Sequence, residues 1–536
     1  MKRAGHSWWL VAKGPQVLRD GRVATGVVAV SPPAGRAGAK EWRRSAMEMT
    51  IGCDDAWPSR TNAVGARVRA LAHDVGARTS AGRFGRMFAT LDAPAQRLPD
   101  GAATVHALAR LAEAMTEPQH VPPAPRVQSA GDGPLPAAYT YLLQFVLHDL
   151  VLARADDGGD DPSTLFTPLA QLDGVSNRRS GRLDLDSVYD APRDPAVVRR
   201  MLLGKVAPGT LPRPPRKGDR NDLPRFSRST EPARDRAPRC GDPRNDDMLV
   251  MTQLHVAFLK AHNALVSGGR TFDAARRGLR QRYQWMVLFD LLGQICDRAV
   301  LEDVVENGPR FWRVARAADL LMPVEFSAAA FCLAPAMMRG SYDYNPSFRD
   351  IARGALATRF ALGTAGRGPH ALPEHWIIAW EGFLPLEARA PQRARALNTE
   401  LAGAPQTVAA LALQHLLQGY RLGLPTGQAL ARHMGVPELA GAALLAALPE
   451  HQRAAAAPFA EATPLWFYLL AEAGHPERPG GVHLGPVGSR IVAETVWTLV
   501  RHSDSSILVP GAPLDFDRFT LSDLVLMAGD QDRFAD

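Results

Sequence analysis

The chain has 536 residues, of which 46% are apolar and 22% are charged, so its composition allows a packed core and excludes wholesale disorder. It carries 62 Lys and Arg residues against 55 Asp and Glu residues, a net charge of +7. This mild excess is spread along the chain, and it does not predict a nucleic-acid partner.

Targeting signals and disulfide patterns are not evident in the sequence. The four cysteines are widely spaced without a CxxC pair, which predicts no disulfide framework. The longest apolar stretch, 326–338, is shorter than the roughly 20 residues that span a bilayer. The apolar run at 8–12 is too short for a signal peptide. The sequence therefore predicts a cytoplasmic protein without a transmembrane segment.

Taken in chain order, residues 1–80 show no sustained period and are predicted to form a poorly ordered leader before one domain at 81–536. Helical spacing then predicts a mainly α fold with long loops at 154–182 and 206–243. Asp246 or Asp247 is the predicted N-cap of the helix at 247–266. The predicted helices lie at 104–115, 138–153, 247–266, 271–305, 326–338, 406–420, 436–447, 463–472 and 486–501.

The segment YTYLLQFVLHDL at 139–150 places Gln144 and His148 four residues apart, on one face of a helix. A histidine beside an amide in an apolar helix is suited to acid–base chemistry. A core histidine satisfied by one hydrogen bond has the same pattern, and this segment alone favours that reading.

Two further motifs carry charged groups. Asp184 and Asp186, with Ser180, supply hard oxygen atoms of the kind that Ca²⁺ binds, although a short Asp-x-Asp is more often solvated or capping. Arg244 lies in the turn of GDPRND, where an arginine either forms an ion pair or polarises an anionic group. Neither motif identifies a function alone.

The order of these motifs resembles that of the animal haem peroxidase (peroxidase–cyclooxygenase) superfamily, especially its bacterial members. The resemblance runs from about residue 80 to the end of the chain. The segments that carry it are FGRMF at 84–88, YTYLLQFVLHD at 139–149, RLDLDSVY at 182–189, GDPRND at 241–246, QLHVAFLKAHN at 253–263, RYQWMVL at 282–288, PVEFSAAAF at 323–331, LGLPTGQ at 422–428, TPLWFYLL at 463–470 and LGPVGSRIVAE at 484–494.

The resemblance implies a helical domain around haem that oxidises a small-molecule electron donor with H₂O₂. By position, His148, Gln144 and Arg244 correspond to the distal residues: a histidine that moves the peroxide proton, a glutamine that orders water or halide, and an arginine that stabilises developing negative charge. A structural Ca²⁺ is also implied. Its expected ligands are Asp149, Ser180, the carbonyl of Arg182, Asp184 and Asp186.

The proximal side departs from the family pattern. Where the family has the histidine that ligates iron, this sequence has Pro335, and Cys332 replaces an expected arginine three residues earlier. Where the family has an asparagine that hydrogen-bonds the proximal histidine, this sequence has His415. Where the family has a nearby arginine, it has Gln418. Substitute iron ligands are therefore His415 or Cys332, although core filling explains both residues as well.

Covalent attachment of haem is not predicted. Leu147 stands where the mammalian enzymes have an ester-forming Asp, and Asp247 stands where they have a Glu. Met248 matches the position of a sulfonium-forming methionine, but one helical Met is more often core. The cofactor implied by the resemblance is thus haem b, held without covalent bonds if it binds.

Several functions remain open on these residues. The first is a peroxidase whose activity is weak or lost because the proximal histidine is missing. The second is an inactive peroxidase-fold protein that acts in binding or as a scaffold, with no protein partner indicated. The third, a fatty-acid oxygenase, needs a radical-forming Tyr at the position of Cys332. A hydrolase or metalloenzyme using His255 and His262 is a remote fourth.

Overall fold

The computed structural model describes residues 82–118, 131–155, 175–190, 200–227, 229, 236–352, 371–387, 390–477 and 479–533, together with four short strands before residue 31. About half of the chain is helical and strands are few, which confirms the predicted mainly α class. Among the described residues, no helix is both long and apolar enough to cross a bilayer.

Fifteen α-helices lie in the described part of the chain. In order they are α1 (Ala102–Ala114), α2 (Ala138–Leu150), α3 (Asp186–Tyr189), α4 (Leu249–Ser267), α5 (Phe272–Trp285), α6 (Leu292–Ile295), α7 (Arg298–Asn307), α8 (Ala334–Met337), α9 (Pro405–Arg421), α10 (Gly427–Met434), α11 (Gly441–Ala447), α12 (Glu450–Ala456), α13 (Leu465–Ala473), α14 (Pro486–Arg501) and α15 (Leu521–Arg533).

The strands are short, and the longest described strand has five residues. Twelve are described: β1 (Trp9–Ala12), β2 (Gln16–Val17), β3 (Val23–Ala24), β4 (Val27–Val30), β5 (Gly82–Gly85), β6 (Asp132–Pro136), β7 (Ala153–Ala155), β8 (Val175–Asn177), β9 (Met322–Pro323), β10 (Ser341–Tyr342), β11 (Ile351–Ala352) and β12 (Arg393–Arg395). The largest sheet has the order β7-β8-β5-β9, with β5 and β9 parallel and the other pairs antiparallel.

Of the predicted leader, only β1 to β4 are described. β1 pairs with β4 and β2 pairs with β3, both antiparallel. The rest of residues 1–80 lies outside the described residues, and the disorder predicted for the leader stays a prediction. The predicted 154–182 loop is also largely outside the described residues.

The predicted helix at 326–338 is divided in two. Residues Phe326–Ala330 form a π-helical turn, and α8 follows after a break at 331–333. Pro335 explains the break, because it has no N–H to donate to the carbonyl of Phe331 four residues earlier and its ring clashes with that carbonyl in a continuous helix. Proline is tolerated in the first turn of α8, because a backbone N–H at that place has no acceptor within the helix.

The predicted N-cap of α4 is wrong. Met248 is the N-cap, with an extended backbone and no side-chain cap. Asp246 belongs instead to a 3₁₀ turn at Pro243–Asp246, and its carboxylate accepts hydrogen bonds from Arg225 at 2.7 and 2.9 Å. The Asp246 carboxylate therefore forms an ion pair with Arg225 and does not cap α4.

Helix α2 lies in the centre of the hydrophobic core, and all of its 13 residues are buried. Phe145 of α2 stacks on Phe258 of α4, with ring centroids 4.6 Å apart and planes inclined by 13°. Offset aromatic contacts of this kind add to the free energy gained by burial. The packing of α2 on α4 brings the polar side chains of both helices to the 3₁₀ turn that contains Arg244.

Candidate functional site

The site is built around His148, at the C-terminal end of α2. The side chain of His148 is 3% exposed, and its two ring nitrogens face two different amides. Nε2 lies 2.9 Å from Nε2 of Gln144, and Nδ1 lies 2.9 Å from Oδ1 of Asn245. The predicted i, i+4 pairing of Gln144 with His148 is thus present.

The surroundings of His148 keep its imidazole uncharged. Burial, and then the positive charge of Arg244, lowers the pKa of His148 to about 3, while Asp242 and Asn245 oppose the shift. A neutral imidazole has one nitrogen lone pair available, which is what a proton acceptor requires.

Arg244 is placed by its neighbours in the backbone and by one carboxylate. Its Nη2 donates to the carbonyl oxygens of His148 at 3.1 Å and Val151 at 2.6 Å, and to Asp242 Oδ2 at 2.7 Å. Its Nε also donates to Asp242, at 3.0 Å. These contacts stabilise the C-terminal end of α2, where helix carbonyls lack intrahelical partners. The stabilisation of peroxide negative charge predicted for Arg244 stays a prediction.

Asp242 holds a second arginine at the same place. Arg179 donates through Nε to the carbonyl of His148 at 3.2 Å and forms an ion pair with Asp242 through Nη2. Burial raises the pKa of Asp242, but Arg244 and Arg179 outweigh burial and hold that pKa well below its ordinary value. Two buried arginines and one buried carboxylate therefore fix the backbone around His148.

The candidate calcium residues lie beside this cluster. Both carboxylate oxygens of Asp149 accept backbone N–H groups, from Leu185 at 3.2 Å and Ser187 at 2.9 Å. Burial and the neighbouring charge of Asp186 raise the pKa of Asp149 to about 7. Burial also raises the pKa of Asp184, whose Oδ1 accepts the Ser503 hydroxyl at 2.6 Å. Buried carboxylates thus share this region.

The remaining candidate ligands make local hydrogen bonds. The Ser180 backbone N–H donates to Asp186 at 2.9 Å, the Ser180 hydroxyl accepts the Arg182 N–H at 3.2 Å, and the Arg182 carbonyl accepts the Asp184 N–H at 2.9 Å. Within the described ranges, no group of three or more His, Cys, Asp or Glu side chains has an arrangement suited to a metal ion. The predicted Ca²⁺ site stays a prediction.

Pro335 lies in the buried first turn of α8, at the position where the resemblance leads us to expect an iron ligand. Its ring has no lone pair for a metal. Cys332 is in a disulfide whose partner lies outside the described residues, so it has no thiolate for iron, and its presence in a disulfide departs from the sequence prediction. The Cys332 carbonyl accepts the indole N–H of Trp466 at 2.8 Å.

His415 lies on α9 and packs against the same tryptophan. Its ring is 1% exposed and stacks on Trp466 with centroids 4.7 Å apart. Burial lowers the pKa of His415 to about 4. A cavity of about 10 Å³ adjoins both rings, which is about the space of one water molecule. Gln418, one turn further along α9, is also buried.

Asp247, the candidate for a haem ester, is half-buried, and its backbone N–H donates to the Arg244 carbonyl at 3.1 Å. His255 and His262 both lie on α4 but have separate partners. His262 Nδ1 contacts the Tyr189 hydroxyl at 2.8 Å, whereas His255 Nδ1 contacts Nδ2 of Asn245 at 3.0 Å. They do not form one site together.

Sequence reasoning missed three residues around His148, namely Arg179, Asp242 and Asn245, and it named His255 only together with His262. Asn245 and Asp242 flank Arg244 in GDPRND, so their place in a motif was a usable signal. Arg179 lies in a loop 31 residues after His148 and has no such signal.

Comparison with solved structures confirms the fold resemblance. Peroxidase A from Dictyostelium discoideum superposes with a TM-score of 0.50 at 12% identity, over 79% of this chain and 89% of that protein. Fatty acid alpha-dioxygenases from Oryza sativa and Arabidopsis thaliana give TM-scores of 0.47 and 0.42 at 10% identity, over 91% and 82% of this chain and 91% and 75% of theirs. No protein-family model matches the sequence, and no curated protein matches it significantly.

Proposed function

We propose that this chain is a peroxidase-fold protein of the haem type that keeps a distal acid–base site but has lost the family's iron ligand. H₂O₂-dependent oxidation of a donor is then weak or absent. The single observation that carries the proposal is Pro335, which stands buried in α8 where the resemblance requires a histidine.

The distal half supports a peroxidase ancestry. His148 is buried and neutral, and Asn245 holds it at Nδ1. If the Gln144 amide that contacts Nε2 moves aside, that nitrogen suits the uptake of one proton from a small molecule. The described contacts of Arg244 point to a different role. Its Nε and Nη2 donate to Asp242 and to two carbonyls, so these atoms support helix α2.

The proximal half does not fit haem ligated in the family's way. His415 would have to leave its stack on Trp466, and the cavity beside it holds about one water. Cys332 is committed to a disulfide. Haem, if bound, would supply redox chemistry at its iron, and no described side chain at 332 or 335 offers that iron an axial bond.

The second candidate, an inactive binding or scaffold protein, rests on the same proximal substitutions. The fatty-acid oxygenase has no comparable support, because Cys332 stands where a radical-forming tyrosine is expected. We keep Ca²⁺ in the proposal as a structural ion. The ligands expected from the resemblance are Asp149, Ser180, the Arg182 carbonyl, Asp184 and Asp186. They would have to leave their present hydrogen bonds to share one ion, because the acidic side chains of the described residues do not form such a group.

The test is H₂O₂-dependent oxidation of a chromogenic donor by the full chain mixed with haem. We expect the wild type to match free haem and the variant Pro335→His to oxidise the donor at least about tenfold faster. Pro486→His is the matched control, because Pro486 also lies in the first turn of a helix, α14, and should stay at the free-haem rate. A wild-type rate far above that of free haem contradicts the proposed loss.

A further inference from the structure

His148 and His255 are joined through one amide. His148 Nδ1 lies 2.9 Å from Asn245 Oδ1, and Asn245 Nδ2 lies 3.0 Å from His255 Nδ1. All three side chains are buried. A side-chain amide has one accepting end and one donating end, so this bridge imposes a direction on both imidazoles.

The direction assigns the protons. Because Asn245 Oδ1 can only accept, His148 must carry its proton on Nδ1. Because Asn245 Nδ2 can only donate, His255 Nδ1 must be the bare nitrogen. The contact of His148 Nε2 with Gln144 Nε2 agrees, since an amide N–H donates to a bare imidazole nitrogen at 2.9 Å.

We propose that Asn245, oriented by His255, is a positioning residue that holds His148 in the tautomer protonated at Nδ1, so that Nε2 is the atom that accepts a proton from a small protic molecule of the H₂O₂ class when that molecule displaces the Gln144 N–H. The functional meaning of this assignment rests on the proposed function. The assignment itself depends only on the hydrogen bonds of the chain.

The bridge positions His148 and does not conduct protons. An amide neither gains nor loses a proton near neutral pH, so a proton taken up at Nε2 stays on the imidazole. The Nδ1–H bond to Asn245 remains in the imidazolium, and the amide oxygen then stabilises the new charge. The same logic applies wherever a partner at one ring nitrogen fixes the role of the other.

Aromatic packing holds the far end of the bridge. The ring of His255 meets Phe145 edge to face at 6.0 Å, and Phe145 belongs to the same helix as His148. His255 Nε2 is buried with no hydrogen-bond partner among the described residues. The contact to Asn245 is therefore the one polar contact described for this ring, and it orients the amide.

The charges that face these rings come from the loop and from the 3₁₀ turn. Arg179, Asp242 and Arg244 act on His148, and Asp242 and Arg179 act on His255. Burial, more than these charges, lowers the pKa of His255 to about 4. Independently of these charges, an amide N–H donates to one nitrogen of each ring, so each ring has one bare nitrogen and one tautomer.

The test is NMR of the full chain labelled with ¹⁵N-histidine, using long-range ¹H–¹⁵N correlations that distinguish protonated from bare ring nitrogens. The His148 signals are those lost in His148→Gln. We expect protonated Nδ1 and bare Nε2 in the wild type. Asn245→Leu should move the proton to Nε2 or mix the two forms, and Asn245→Asp should keep it on Nδ1 because a carboxylate also accepts.

Asn263→Leu is the matched control. Asn263 is a buried asparagine of α4 that bonds the backbone of Met201, so its loss perturbs folding without touching His148. A wild-type His148 protonated at Nε2 overturns the proposal, as does an unchanged pattern in Asn245→Leu. If that variant does not fold, loss of the Nδ1 proton in Asn245→Asp overturns it. The spectra need neither haem nor turnover, so an inactive enzyme leaves this test intact.

Discussion

The ring of His415 lies face to face with the indole of Trp466, with centroids 4.7 Å apart and planes inclined by 29°. The indole N–H is in turn bound to the carbonyl of Cys332. The two residues that the sequence offered as substitute iron ligands are thus connected through one tryptophan. This arrangement favours a structural role for His415.

If His415 serves as a packed ring, phenylalanine should replace it. We expect the free energy of unfolding of His415→Phe to be close to that of the wild type, because the stack on Trp466 is kept and no charge is lost. His415→Ala should cost about 2–4 kcal/mol by leaving a cavity. Urea denaturation of both variants measures this, and a phenylalanine variant as unstable as the alanine variant contradicts the packing role.

Arg244 should matter for folding before any chemistry. Its removal in Arg244→Ala leaves Asp242 with one arginine fewer and two buried carbonyls without that donor, which should cost about 3–5 kcal/mol. Thermal unfolding without haem or peroxide measures the effect. Arg316 forms an exposed ion pair with Asp319, so Arg316→Ala is the control. Its free energy of unfolding should lie within about 0.5 kcal/mol of the wild-type value. An unchanged melting temperature for Arg244→Ala would instead favour a purely chemical role.

A Ca²⁺ ion at the buried carboxylates predicts a stability difference that depends on calcium. Asp184→Ala should lower the melting temperature more in calcium than in chelator, because the hydrogen bond from Ser503 is lost in both conditions and the bound ion only in calcium. Asp319→Ala, at an exposed ion pair, should show no calcium-dependent difference. An equal loss of stability in calcium and in chelator for Asp184→Ala removes the site.

Glu472 should make stability depend on pH. Burial raises its pKa to about 8, although its carboxylate accepts backbone N–H groups at the start of α14. The folded protein therefore binds this proton more tightly than the unfolded chain does. The contribution of Glu472 to the free energy of unfolding is fully present below about pH 4.5 and is lost as the pH rises towards 8. The loss is at most about 1.4 kcal/mol per pH unit.

Glu472→Gln mimics the protonated acid, so its stability should vary less between pH 5 and 9 than that of the wild type. Urea denaturation at several pH values measures this, with the exposed Glu461→Gln as the control. Parallel pH profiles for the wild type and Glu472→Gln contradict the assignment.

The sequence predicted local features of the site and missed its long-range contacts. Gln144 and His148 follow from helical period alone, and α2 forms as expected. The contact of His148 with Asn245 joins residues 97 positions apart, and no local pattern encodes it. The stack of His415 on Trp466 likewise depends on how α9 meets α13. The predicted helix at 326–338 is divided because Pro335 interrupts an apolar run that otherwise favours one helix.

The central claim is that the distal site remains while Pro335 has removed the iron ligand, and haem titration followed by Soret absorption tests it most directly. The wild type should show no saturable band of histidine-ligated haem, and Pro335→His should gain one at one haem per chain. Pro486→His should behave as the wild type. A saturable histidine-type Soret band in the wild type would contradict the account.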